Sequence, residues 1–181
     1  SGTTNISAGT LALVGAGKVG TGLTTIGNDG TLQIGNGTAS GSLGNLSNVV
    51  LNGTLAFNQA SGSVTNVSQV ISGIGSLSQL GTGSTVVLTG NNTYSGTTNI
   101  SAGTLALVGN GTLGSGLTMV VSGSTLQIGN GTASGILGNL SSVVLNGTLA
   151  FNQASGSVTN VSQAISGIGS LSQLGTGSTV V

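Results

Sequence analysis

The sequence nearly superposes on itself when shifted by 94 positions. Ser1 to Val14 recurs as Ser95 to Val108, and Thr54-Leu55-Ala56-Phe57 recurs as Thr148-Leu149-Ala150-Phe151. Residues 1–87 overlay residues 95–181 without an insertion and with 13 mismatches, ten of them between Ala16 and Gly30. The other three are Ser42/Ile136, Asn48/Ser142 and Val70/Ala164. A fixed period of this kind marks a repeat architecture. The chain reads as one complete unit, residues 1–94, and a second, truncated unit, residues 95–181, in one continuous structure. Both ends fall in mid-pattern, and Ser1 opens without the basic and apolar regions of a signal peptide. It is expected to be part of a longer chain.

A looser period lies inside the unit. Thr10-Leu11-Ala12-Leu13, Thr31-Leu32-Gln33-Ile34, Thr54-Leu55-Ala56-Phe57 and the strand from Ser76 to Leu80 form a series that Thr104-Leu105-Ala106-Leu107 resumes. The leucines step by 21, 23, 22 and 28 residues. Four coils of roughly 23 residues fit that spacing, the size of one turn of a three-sided β-solenoid. Further short strands lie between, at Thr4 to Ile6, Leu23 to Ile26, Val49 to Leu51, Val67 to Ile71 and Val86 to Leu88. Alternating apolar and small polar residues are the period-2 pattern of a strand with one buried face.

Helix is disfavoured, because 36 glycines would each cost ~1 kcal/mol in a helix interior and no 3.6-residue stripe is sustained. The pairs Asn36-Gly37, Asn52-Gly53, Asn130-Gly131 and Asn146-Gly147 are expected to supply positive φ at tight corners. A sandwich of hairpins is the competing all-β arrangement, but it gives no reason for successive strands to repeat the same residue at the same place. The solenoid does, since its rungs stack ~4.8 Å apart. Leu11, Leu32, Leu55, Leu77, Leu105, Leu126, Leu149 and Leu171 are expected to form one inward ladder, and Leu13, Ile34, Phe57, Leu107, Ile128 and Phe151 a second. About eight rungs at that rise make a rod ~37 Å long.

Stacking accounts for an unusual composition. Gly, Ser, Thr and Asn fill 105 of 181 positions, and Lys18 and Asp29 are the only charged residues. On in-register strands like charge would lie on like, whereas Ser, Thr and Asn stack as hydrogen-bonded rows. With no His and no Cys, the chain lacks an imidazole base, a thiol nucleophile and a Cys/His metal cage. One carboxylate cannot make a paired-carboxylate site or a calcium cage, and one ammonium cannot make a nucleic-acid face. No enzyme activity, no cofactor, no metal and no nucleic-acid partner are expected. Nor is disorder, since the chain is 36% hydrophobic and neutral.

The segment Ser84 to Gly109, STVVLTGNNTYSGTTNISAGTLALVG, resembles the passenger-associated repeat of bacterial autotransporter proteins. Its marks are Leu88-Thr89-Gly90, Asn92-Thr93-Tyr94, Gly96-Thr97-Thr98, Ile100 and Gly103-Thr104-Leu105. The resemblance implies a right-handed parallel β-helix on the outside of a Gram-negative cell, exported through a C-terminal outer-membrane β-barrel that this chain does not contain, and often adhesive. Two departures are the near-absence of charge and the near-identity of the two copies, which look like an array built for length.

The leading expectation is a structural segment: the shaft of a surface adhesin or an extracellular matrix fibre, with rods associating end to end or laterally. The alternative is a module whose Ser/Thr/Asn faces bind host or neighbouring-cell glycans or another surface. Ice binding is a distant third, because the outward pairs Thr10/Ala12, Thr31/Gln33, Thr54/Ala56 and Ser76/Ser78 are mixed. Tyr94 is expected to pack against its own corner rather than stack on a sugar, and Lys18 and Asp29 to sit in solvated loops. The Asn-x-Ser/Thr triplets at Asn5, Asn36, Asn45, Asn52, Asn66, Asn91 and their copies, Asn139 among them, arise from composition and are assigned no modification.

Overall fold

The computed structural model describes residues 2–138 and 140–181; Ser1 and Asn139 lie outside the described residues. Among those described there are eighteen strands and no helix, and every strand pairing is parallel. Parallel neighbours need a crossover. Here the crossover is the coil itself, which passes three faces before returning one rung further on. The β-solenoid is thus the fold found, and the antiparallel sandwich is not.

Residues 4–6, 24–26, 49–51 and 70–72 stack on the first face. Residues 10–13, 31–34, 54–57, 76–79, 98–100, 118–120, 143–145 and 164–166 run along the second, which gives eight rungs. The third face carries Val64–Val67, Thr85–Leu88, Thr104–Leu107, Thr125–Ile128, Thr148–Phe151 and Ser170–Gln173. Further along, the first face is looser and is held by single bonds such as Thr93 N to Ile71 O at 2.8 Å and Ser115 N to Tyr94 O at 3.0 Å. It ends in the pair Val158–Thr159 and Thr179–Val180.

This topology corrects the single leucine ladder. Leu11, Leu32, Leu55 and Leu77 do stack on the second face, but the next rung there is Thr98. Leu105, Leu126, Leu149 and Leu171 stack on the third face instead, above Val86. The second ladder splits likewise. Leu13, Ile34 and Phe57 lead to Gln79 and Ile100, whereas Leu107, Ile128 and Phe151 follow Leu88. The 28-residue step from Leu77 to Leu105 is therefore one coil plus one face. A 94-residue unit spans four coils and a third rather than four, so each face of one copy continues into a different face of the next. Coils take between 19 and 25 residues, as in Val86 to Leu105 and Thr118 to Val143.

Two further expectations change. Residues 67–71 are a corner rather than a strand, because Val64–Val67 belongs to the third face and Val70–Ser72 to the first. Of the Asn-Gly pairs, only Gly37 and Gly131 have positive φ, both +86°. At Gly53 and Gly147 the requirement is space: a Cβ on Gly53 would collide with the carbonyl oxygens of Gly27 and Gly30, and one on Gly147 with those of Val121 and Ser124.

Inward positions make one continuous core. Leu32, Leu55, Leu77, Leu105, Leu126, Leu149, Ile34, Phe57, Leu107 and Ile128 are inaccessible to solvent, and Leu13 and Phe151 nearly so. Leu11, in the first rung, is half-buried against this core. Leu171 is 64% exposed, since no described rung covers it. A rung one residue thick cannot bury its own apolar face, so its neighbours must do so.

Candidate functional site

The motif segment is tied to the coils on either side of it by side-chain as well as backbone hydrogen bonds. Asn92 is buried and bridges three rungs: its Oδ1 accepts from Ile71 N at 2.9 Å, and its Nδ2 donates to Thr112 O at 2.7 Å. Its backbone N donates to Thr112 Oγ1 at 2.8 Å. Tyr94 fills the core with no exposed surface, its hydroxyl 2.6 Å from Thr98 Oγ1. Burial pushes its pKa up to about 12, partly offset by hydrogen bonds with the Thr98 side chain and the Gly114 backbone. The ring therefore packs in its own corner and offers no face to a sugar.

The motif glycines make room for neighbouring backbone. A Cβ on Gly90 would strike Gln69 O, one on Gly96 would strike Gly75 O, and one on Gly103 would strike Gly81 O. Thr97 gives its carbonyl to Leu77 N at 3.0 Å, and Thr104 N donates to Ser84 O at 2.9 Å. Of the motif side chains, Thr89 and Thr93 are exposed. Most of the motif's residues thus connect or pack coils.

Thr93 borders a concavity. A hollow of about 470 Å³ opens on the first face where the two units meet, lined by Asn91, Thr93, Thr112, Leu113, Ser115 and Ile136. A smaller hollow of about 220 Å³ abuts it, sharing Ile136 and Gly138 and reaching Thr159, Asn160 and Gln163. Together they form an uncharged groove along the axis, with amides and hydroxyls around the half-exposed Ile136. Sequence reasoning missed it. Its signal was the mismatch Ser42/Ile136, which sets an isoleucine on this surface in one copy only. The groove lies where residues 108–117, 129–138, 140 and 141 belong to no strand.

Lys18 and Asp29 are exposed and stand apart, Lys18 in the loop after the second face and Asp29 at a strand bulge opposite Ala8. Neither lines the groove. Among the described residues no group of three or more His, Cys, Asp or Glu could hold a metal ion.

These features define a class: a parallel β-solenoid of tandem units, held coil to coil by its own motif residues. Residues 1–13 and 77–107 match the family model of the passenger-associated-transport-repeat. A β-solenoid carrying that repeat fits an autotransporter passenger with repeats, and the repeat family implies a secreted, surface-exposed protein. No curated protein and no solved structure matches the chain.

Proposed function

We propose that the chain is a non-enzymatic shaft segment of a long extracellular protein on the bacterial surface, serving an adhesin or a matrix fibre. What supports this is the continuity of the ladder across the unit boundary, where Ser76–Gln79 pairs with residues 98–100 and Thr85–Leu88 with Thr104–Leu107. A rod without an internal break lengthens by adding units and carries load through backbone hydrogen bonds. The reading includes association of such rods end to end or side by side, wherever a rung or a sheet edge is open to pairing. Electron microscopy of the native surface tests the reading: long thin rods or fibrils are expected, and short isolated particles overturn it. Hydrolytic turnover of polysaccharide by the pure chain overturns the non-enzymatic part.

A second reading has the groove at Asn91, Thr93 and Ile136 in its favour. An uncharged hollow of this size falls in the range of small-ligand sites, and amide and hydroxyl groups beside an apolar patch suit a neutral glycan. A glycan array decides it. Retention that Ile136→Ser abolishes supports the module, and no retained sugar removes it while leaving the shaft untouched.

A further inference from the structure

Five Asn-Gly pairs occur in the chain: Asn36-Gly37, Asn52-Gly53, Asn110-Gly111, Asn130-Gly131 and Asn146-Gly147. Asparagine before glycine is prone to spontaneous deamidation, because no side chain hinders the glycine nitrogen as it approaches the asparagine Cγ. The attack needs that nitrogen released from its hydrogen bond and the side-chain amide free to turn over it. In four of the pairs both groups are held. Gly37 N donates to Asn58 O at 2.7 Å and Gly131 N to Asn152 O at 2.6 Å, each on a neighbouring rung. Asn36 Oδ1 accepts from Thr38 N, Thr38 Oγ1 and Ala39 N, and Asn130 Oδ1 accepts from the matching groups of Thr132 and Ala133. Gly53 N donates to Ile26 O and Gly147 N to Val120 O, while Asn52 and Asn146 Oδ1 accept from Ile74 N and Ile168 N.

Asn110 differs on both counts. It is exposed, and among the described residues its side chain has no hydrogen-bond partner. Gly111 N donates to Val108 O at 3.0 Å within one tight turn, in which Gly109 has φ +64°. Only Gly109 and Asn110, the middle of that turn, are exposed, while Val108 and Gly111 are buried. A bond closed within one turn opens by local motion of its tip, whereas a bond to a neighbouring rung opens only when rungs separate. The first copy keeps the turn, with Gly17 N donating to Val14 O at 3.0 Å, but has Ala16 where the second has Asn110.

We propose that Asn110 is the site at which the folded chain deamidates. The Gly111 nitrogen, its proton taken by hydroxide, bonds to Asn110 Cγ. The Cγ–Nδ2 bond breaks and Nδ2 takes a proton from water, returning hydroxide, and leaves as ammonia; the ring closed between Gly111 N and Asn110 Cγ is a succinimide. Water then opens the ring to aspartate or isoaspartate. Either product puts a carboxylate on a copy that contains no charged residue, and takes the chain from neutral to a net charge of −1. The isoaspartate form also lengthens the backbone beside Gly111, which is packed so closely under Leu88 O that a Cβ there would collide with it.

The test incubates the folded chain at mildly alkaline pH and follows each Asn-Gly peptide by mass, with enzymatic methylation to report isoaspartate. Asn110 is expected to convert at least about tenfold faster than the other four, a ratio that disappears in urea as rungs separate. Asn110→Gln, at an exposed site, is expected to remove the fast phase and leave the far-ultraviolet spectrum unchanged. Conversion at Asn36, Asn52, Asn130 or Asn146 as fast as at Asn110 overturns the proposal. So does an Asn110 that converts only in urea.

Discussion

The hydroxyls of Thr24 and Thr118 point into the core, are fully buried, and have no hydrogen-bond partner among the described residues. The two positions are equivalent in the two copies, so the same desolvation cost is incurred twice. A buried hydroxyl without a partner costs about 1–3 kcal/mol, whereas valine fills nearly the same volume without that cost. Thr118→Val is expected to raise stability by about 1 kcal/mol in urea unfolding, and Thr24→Val to do the same. At Asn92 the sign reverses. Asn92→Ala leaves Ile71 N and Thr112 O without partners inside the rod, and a loss of about 2–4 kcal/mol is expected in the same assay.

Tyr94 gives the chain a pH response that its composition does not suggest. In the unfolded chain the phenol ionises near 10, and in the fold near about 12, because burial opposes the charged form. Below pH 10 both states keep the proton and the stability is fully present. Between 10 and 12 the unfolded state loses its proton first, so stability falls as pH rises, by roughly 2–3 kcal/mol in all. Unfolding midpoints measured across this range should show the fall, and Tyr94→Phe should flatten it. The phenylalanine variant also starts lower, since Thr98 Oγ1 loses its partner.

At the scale of elements, the strands were legible and their stacking order was not. Thr104–Leu107 repeats residues 10–13 letter for letter, and both form strands with the same inward leucines. Which strand lies above them depends on how many residues each coil takes up, and that number varies from 19 to 25. The leucine series was therefore readable within a copy, through Leu77, and misleading across the boundary. Disulfide trapping tests the register. Ser78 and Asn99 are paired on adjacent rungs, so cysteines at both positions should cross-link. Cysteines at Ser78 and Ala106 should not, because Ala106 pairs with Val87 on another face. A fold of four whole coils per unit would give the opposite result.

At the scale of the molecule, position along the rod decides what a residue contributes. Leu126 and Leu171 belong to the same sequence series and the same face, yet Leu126 is covered on both sides and Leu171 is 64% exposed. Leu126→Ala is expected to cost about 2–5 kcal/mol, and Leu171→Ala well under about 1 kcal/mol, as read by thermal or urea unfolding. The groove is likewise a property of the assembled rod. It takes Asn91 and Thr93 from the end of one unit and Ser115 and Ile136 from the next, so no single unit contains it.

The sequence by itself determined the β-solenoid, the inward leucines of the series through Leu77 and the scarcity of charge. All three follow from a local pattern copied along the chain, in which each rung must tolerate its own kind as a neighbour. Only the tertiary structure decided the phase. Coil length is the sum of three faces and three corners, and small differences in the corners accumulate until a unit of 94 residues overshoots four coils by one face. That offset splits the leucine ladder at Thr98 and brings the end of one copy beside the middle of the next at the groove.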